Sequence, residues 1–288
     1  MTRLLAFIIM TKNEASNLPS CLESLRGLPA EIFVIDSGST DQTVEIAQRA
    51  GCRILEHPFA NYALQFNWAL DNISTEAPWI FRLDADEYLT PELRSELVTK
   101  LPQLGQNISG VLMKRRFYFM GRWMRHGGMY PIWHIRLFRR GQGRCENRWM
   151  DEHIQLSGGE TVRFNYDFVD ENSKNLTFWT DKHNWYALRE VLDLTSAAGS
   201  HQAILAQAKR KRWAKEAMYA KAPLFVRAFA YWLARYFLLL GFLDGSEGLI
   251  FHFLQAMWYR FLVDAKIYEC ERAAARSKAD ASNVLSIR

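Results

Sequence analysis

The chain has 288 residues, with 36 Lys or Arg against 31 Asp or Glu and a net charge of +5. That length can bury a full core, and 49% hydrophobic residues exclude a wholly disordered chain. The charge is unevenly placed: residues 209–235 hold eight basic side chains and one acid, Glu216, whereas the remainder carries 28 basic and 30 acidic. Thirteen of the 39 aromatic residues fall within 223–268. A basic stretch running into an aromatic one suits a membrane surface, not nucleic acid.

In chain order, residues 4–10 form a continuous apolar run, the pattern of a strand buried on both faces of a parallel sheet. No A-x-A site follows, which argues against a secretory signal. The turn Thr11-Lys12-Asn13-Glu14 leads to a helix with Leu18, Cys21, Leu22 and Leu25 on one face. A second strand over 31–35 ends in Asp36-Ser37-Gly38-Ser39-Thr40-Asp41, which can cap a helix over 43–50 stopped by Gly51. A strand at 53–56, a helix at 62–73 and a strand at 79–83 come next. The last ends in Asp84-Ala85-Asp86-Glu87, and Thr90-Pro91-Glu92 opens a helix bearing Leu93, Leu97 and Leu101.

This alternation predicts an α/β fold with a doubly wound, mostly parallel sheet. Ligands of such sheets sit beyond the carboxyl ends of the strands, where Thr11, Glu14, Asp36, Ser37, Asp84 and Asp86 converge. Further strands are expected at 110–120 and 133–138, and helices from Leu176 onward. The tail 272–288 is polar and is expected to fray.

Asp84-x-Asp86 places two carboxylates just past a buried strand. There they can meet a hard divalent cation that keeps positions open for phosphate oxygens. The alternative is a pair of turn acids solvating a strand end. Asp151-Glu152-His153, beside Trp149 and Met150, can supply a general base or simply form an exposed loop. No G-x-G-x-x-G follows the early strands, and H-E-x-x-H and G-x-S-x-G are absent. Dinucleotide, zincin and serine-hydrolase chemistry are thereby disfavoured. The four cysteines, Cys21, Cys52, Cys145 and Cys270, form no C-x-x-C pair, which fits a reducing compartment.

Three segments together resemble the family 2 glycosyltransferases of the GT-A fold: Phe7-Ile8-Ile9-Met10-Thr11-Lys12-Asn13-Glu14, Val34-Ile35-Asp36-Ser37-Gly38-Ser39-Thr40-Asp41-Gln42-Thr43, and Arg82-Leu83-Asp84-Ala85-Asp86-Glu87. Their order and spacing match over about residues 1–105. Later pieces are similar to a bacterial subgroup building lipopolysaccharide or exopolysaccharide, the WaaE/LgtF-like enzymes. These pieces are Arg136-Leu137-Phe138-Arg139-Arg140, Met150-Asp151-Glu152-His153, Lys182-His183-Asn184-Trp185-Tyr186-Ala187 and Gly241-Phe242-Leu243-Asp244-Gly245.

The resemblance implies a nucleotide-sugar pocket of Thr11, Asn13, Glu14, Asp36, Ser37, Gln65, Asn67, Asp84 and Ala85, with Asp86 and Asp84 for Mg²⁺ or Mn²⁺. Glu152, or Asp151 in its place, would deprotonate the acceptor, and His153, Lys182, His183 and Tyr186 would contact acceptor or diphosphate. It implies inverting transfer of one hexose from a nucleotide sugar, with a UDP-linked donor expected, to a lipid-linked glycan. Rival readings are a polyprenyl-phosphate glycosyltransferase and a non-catalytic sugar-nucleotide sensor or scaffold. Two departures stand out. Phe66 occupies the place before Asn67 where relatives carry Arg or Lys, and the Q-x-x-R-W of processive members is out of register around Gln207, Arg210, Arg212 and Trp213.

The expected organisation is a catalytic domain over 1–205, with a nucleotide-sugar half at 1–105 and an acceptor half at 106–205. A basic, aromatic helical membrane-association region follows over 206–271, then the tail. Residues 224–243 could reach across a bilayer but contain Arg227 and Arg235, and 249–263 is short and holds His252, Gln255 and Arg260. A helical hairpin lying in one leaflet at the cytoplasmic face of the bacterial inner membrane is therefore expected, with a buried hairpin packed on the protein as the alternative.

Overall fold

The computed structural model describes residues 3–147, 152–195 and 222–285. The chain divides into two compact units, Met1–Asn175 and Leu176–Arg288. The boundary expected at 205 lies outside the described residues, as do Asp151, Gln207 and the basic stretch 206–221.

In the first unit, β1 (Leu5–Thr11), α1 (Leu18–Leu25), β2 (Ala30–Asp36), α2 (Thr43–Arg49), β3 (Arg53–Glu56), α3 (Tyr62–Asn72) and β4 (Trp79–Asp84) follow the expected order closely. The strands lie β3-β2-β1-β4, all parallel. β5 (Glu87–Leu89), α4 (Pro91–Lys100), β6 (Ile108–Phe119), β7 (Arg122–Trp123) and β8 (Trp133–Arg139) come next. β9 (Gly143–Cys145) and β10 (Ile154–Leu156) form a separate antiparallel pair, and β11 (Glu160–Glu171) ends the unit. The sheet continues from β4 through β8, β6 and β11 to β5. β8 is antiparallel to both neighbours, whereas β11 runs parallel to β6.

Alternation along β1 sorts its side chains. Leu5, Phe7 and Ile9 meet the leucines of α1 and α4, while Ala6 and Ile8 meet Ala63, Phe66 and Ala69 of α3. Phe7 and Phe81 stack at 5.0 Å on the first face. Truncating such a buried ring to Ala costs about 3–5 kcal/mol. Asn61 caps α3 by accepting from Leu64 N at 2.7 Å, and Thr90 caps α4 ahead of Pro91.

Two irregularities shape the later strands. Between Val111↔Leu137 and Leu112↔Ile135 the register slips, leaving Arg136 as the extra residue of a β8 bulge. β11 breaks register between Arg163 and Asp167. There the carboxylate of Glu96 in α4 accepts from the backbone N–H groups of Asn165 and Tyr166 at 3.0 and 3.1 Å.

In the second unit, α5 (Leu176–Thr195) packs Ala187 and Val191 against Tyr259 and Val263. α6 (Val226–Leu233) runs on into a wider turn over Ala234–Leu238. After α7 (Gly245–His252) and a second wide stretch, Phe253–Trp258, comes α8 (Tyr259–Leu285). The tail expected to fray from 272 is therefore helical through Leu285. The alanine-rich run Arg272-Ala273-Ala274-Ala275-Arg276 favours a helix without tertiary support. No single described helix is long and apolar enough to cross a membrane. Val226–Leu238 and Gly241–Arg276 pass that test only together, as a pair bent by 71°.

Candidate active site

Strand register aligns Thr11 with Asp36 and Met10 with Asp84, so three polar loops share the carboxyl edge of the sheet. The first two loops are laced to each other. Asp36 is buried, and its carboxylate accepts from Thr11 Oγ1 at 2.9 Å, Ser39 Oγ at 2.6 Å, and the N–H groups of Gly38 and Ser39. Asn13, in the left-handed region at φ 54°, accepts from Thr40 N at 2.7 Å and donates its own N–H to Ser39 Oγ. Lys12 Nζ donates to the carbonyls of Ser37 and Gly38. Asp36 thus acts within its loop, with both oxygens occupied by local donors.

The third loop carries a chain of alternating charge. Arg82 of β4 lies 3.2 Å from Glu152 through Nη2 and 3.6 Å from Asp84 Oδ1 through Nε. Arg136, re-aimed by the β8 bulge, reaches Asp84 Oδ2 at 3.1 Å and pairs with Glu87 Oε1. The order is Glu152, Arg82, Asp84, Arg136, Glu87. Burial pushes the Glu87 carboxyl up, while Arg136 pulls it down. The acids around Arg82 hold its guanidinium firmly charged despite burial. Arg82 also lies over the Phe66 ring at 5.6 Å, so a cation from β4 stands beside the residue before Asn67.

A segment that carries no sequence signal closes this edge. Asn172 donates to Asp86 Oδ2 at 2.9 Å, and its own Oδ1 accepts from Lys174 N. Ser173 donates twice to Asn17 Oδ1, and Lys174 pairs with Glu14 at 2.7 Å. Asn172, Ser173 and Lys174 thus tie the loops after β1 and β4 to the end of β11.

Gln65 is fully buried and bonds Ser37 Oγ at 3.1 Å, the His57 carbonyl and the His57 ring. Asn67 exchanges two 2.8 Å bonds with the backbone of Cys145, locking α3 to β9. Ala85 is buried in the core cluster. The carbonyl of His153 accepts from Glu146 N across the β9–β10 pair. Lys182, His183 and Tyr186 belong to α5 of the second unit. There His183 stacks on Trp179 at 3.5 Å and meets Tyr259 edge-on, and burial lowers its pKa to about 4.

Among the described residues no group of three or more His, Cys, Asp or Glu could hold a metal by itself. A magnesium-type cation needs no such cage, since one or two carboxylates plus substrate phosphates complete its shell. Asp86 fits that role: it is half-buried at the edge, and its carboxylate accepts from the neutral amide of Asn172. Asp84 faces two guanidinia and is the weaker donor. Arg82, Glu87 and Arg136, which the sequence offers only as members of matching segments, and Asn172 and Lys174, which it does not mark at all, join the site. The available signal was Arg82 itself, a charge inside an apolar strand.

A cleft of about 430 Å³ at the opposite edge, lined by Arg3, Glu31, Arg53 and Thr75, lies away from these loops. It sits at the amino ends of the strands.

Comparison with known proteins follows the same lines. The model of Glycosyl transferase family 2 matches residues 6–160. The chain is 32% identical to the lipopolysaccharide core biosynthesis glycosyltransferase LpsC of Rhizobium meliloti (strain 1021), over 96% of this chain and 95% of that one. An uncharacterized glycosyltransferase of Rickettsia felis is 38% identical over 34% of this chain and 33% of its own. A mannosyltransferase of Pyrobaculum calidifontis, solved with GDP-Man and Mn²⁺, superposes with a TM-score of 0.53 at 17% identity, covering 93% of this chain and 88% of that one. The β3-β2-β1-β4 sheet, the acidic end of β4 and these matches agree: the chain belongs to glycosyl transferase family 2, a glycosyltransferase with the GT-A fold.

Proposed function

We propose that the protein moves one hexose from a UDP-linked sugar to a lipid-linked glycan, with inversion, in bacterial lipopolysaccharide or surface polysaccharide synthesis. The observation that carries this reading is the direct ionic link between Glu152 and the Asp84-Ala85-Asp86 loop through Arg82. It sets a candidate base beside the carboxylates suited to a cation. The name of the Rhizobium relative supports the pathway.

In this mechanism Glu152 takes the proton of the acceptor hydroxyl as that oxygen bonds the anomeric carbon. The bond to the diphosphate breaks, and its electron pair leaves with the nucleoside diphosphate. Arg82 holds Glu152 in one orientation, and Asp86, with Asp84 in support, would hold Mg²⁺ or Mn²⁺. Such a cation, when bound, offsets charge on the departing diphosphate. The loops of Asn13, Ser37 and Lys12 shape the donor pocket, and Gln65 fixes Ser37.

A thermal-shift screen of nucleotide sugars with Mn²⁺ tests the reading, because a ligand of the folded state raises apparent stability. Stabilisation by UDP-hexoses, lost in Asp86→Asn, is expected. Stabilisation by GDP-mannose alone, or by no nucleotide sugar, overturns it. Glu152→Gln that keeps full activity on a phosphate acceptor favours the polyprenyl-phosphate reading.

We place the enzyme at the cytoplasmic face of the inner membrane, held by the second unit. Phe237, Leu238, Leu239, Leu240, Phe242 and Leu243 at the bend are all at least 44% exposed. Meanwhile Arg227 is buried on Asp264, and Arg260 pairs with Glu190 at 2.7 Å. Apolar side chains outward with charges paired inward suit a lipid leaflet. Flotation with phosphatidylglycerol vesicles is expected for the intact protein and lost in Leu239→Glu/Phe242→Glu. Equal flotation of both overturns the placement.

A further inference from the structure

Between Glu96 and Glu146 the sequence contains no Asp or Glu, yet it holds ten Lys or Arg. This stretch spans β6, β7 and β8 of the first unit. Pairing puts Lys114 opposite Trp133 and opposite Asp167, so these three share one sheet face. Ile135, two residues from Trp133, packs against the cluster that contains Ile8, Ile80 and Phe138. Arg82 follows Ile80 by two residues on β4, which sets the Arg82–Glu152 pair on that same face.

The cations there are fixed by aromatic rings. Arg116 and Arg125 lie over Trp123 at 5.1 and 4.8 Å, and Arg163 lies over Trp133 at 4.9 Å. Lys114 lies within 5.7 Å of both Tyr130 and Trp133. Asp167 offsets part of this charge, pairing with Lys114 at 3.2 Å and Arg116 at 2.7 Å. Arg125 and Arg163 remain exposed to solvent. Among the described residues here, Lys114, Arg116, Arg125 and Arg163 thus outnumber the acids Asp167 and Glu171 that strand pairing sets on this face, and stacking orders the guanidinia before any ligand arrives. A neutral sugar would leave such a face uncompensated.

We propose that this face is a subsite for an anionic saccharide, one bearing phosphate or carboxylate groups, which delivers the acceptor hydroxyl toward Glu152. The inference rests on the glycosyltransferase reading and adds the acceptor's charge class to it. Fork-shaped guanidinia on rings match oxyanions on a sugar better than they match the evenly spaced backbone of a nucleic acid.

The test is binding of four probes by calorimetry to the full chain: pentamannose phosphate, tetragalacturonate, neutral maltotetraose and an eight-residue oligothymidylate. Either anionic saccharide should bind at least ~10-fold tighter than maltotetraose, and the first two arms separate phosphate from carboxylate. In Arg125→Ala/Arg163→Ala that preference should fall ~10-fold, with the melting temperature unchanged. No preference for anionic sugars, an unaltered preference in the double variant, or tightest binding of the oligonucleotide overturns the proposal. Failure of every nucleotide sugar to stabilise the protein with Mn²⁺ would instead strike the donor chemistry, a separate readout.

Discussion

Arg82 stands between two acids from distant parts of the chain, 3.2 Å from Glu152 and 3.6 Å from Asp84. Removing it leaves Glu152 facing a low-dielectric space without this cation and Asp84 with Arg136 alone. Arg82→Met should therefore destabilise the protein by about 3 kcal/mol and lower kcat by ~10²-fold. Arg82→Lys, which keeps the charge but loses the fork, should fall between variant and parent. Urea unfolding and initial rates check this. A kcat equal to the parent's would show that Glu152 needs no positioning.

Asp86 and Asn172 form the second pair of interest. Asp86→Asn should remove the Mn²⁺-dependent part of donor stabilisation altogether. Asn172→Ala should weaken it ~10-fold, because the carboxylate stays but loses the donor that orients it. Titrating Mn²⁺ at fixed donor concentration separates the two. Identical losses would mean that Asn172 contributes more than orientation.

Glu96 is a test of fold, not of chemistry. It satisfies two N–H groups that the β11 bulge releases from the ladder. Glu96→Ala should cost about 2–4 kcal/mol and Glu96→Gln about 1–2 kcal/mol, read from denaturant midpoints at unchanged slope. The donor-induced shift should persist in both.

His183 predicts a pH dependence of the second unit. Its folded pKa, about 4, lies below the ordinary 6.5 because burial disfavours the charged ring. Between those values the unfolded chain binds more protons than the folded one. This residue's contribution is therefore fully present above pH 6.5 and declines as the pH falls toward 4. His183→Phe keeps the ring stack and should flatten that part of the melting-temperature profile, measured across pH 4–7.

The strands β1 to β4 were legible because each is an apolar run closed by turn residues, and Asn61, Thr90 and Pro91 mark helix starts where the helices begin. β11 was not. Its sequence Glu-Thr-Val-Arg-Phe-Asn-Tyr-Asp-Phe-Val-Asp-Glu is mostly polar, and the bulge breaks its alternation. Only Phe164, Phe168 and Val169 are buried apolar residues there, and what pairs them is β6, about fifty positions earlier. β5 is three residues long, too short for any period to appear.

The candidate site divides in the same way. Acids at strand ends announce themselves by position, so Asp36, Asp84 and Asp86 could be read directly. What each acid touches could not. Asp36 and Asn67 turned inward to backbone and loop, while Asp84 acquired two arginines, one of them aimed by a bulge that no local pattern encodes. Lys174 meets Glu14 across 160 positions, a contact that only the folded sheet creates.

The alternating chain from Glu152 to Glu87 has a consequence for where charge is left over. Two guanidinia stand among three carboxylates, and burial biases Glu87 toward holding its proton. Glu152 and Asp84 are then matched one to one by Arg82 and Arg136. Of the acids that close β4, Asp86 is left as the one whose negative charge no guanidinium cancels. The loop behaves as a single electrode: five ionisable groups cancel among themselves, and the attraction for a divalent cation concentrates on one carboxylate.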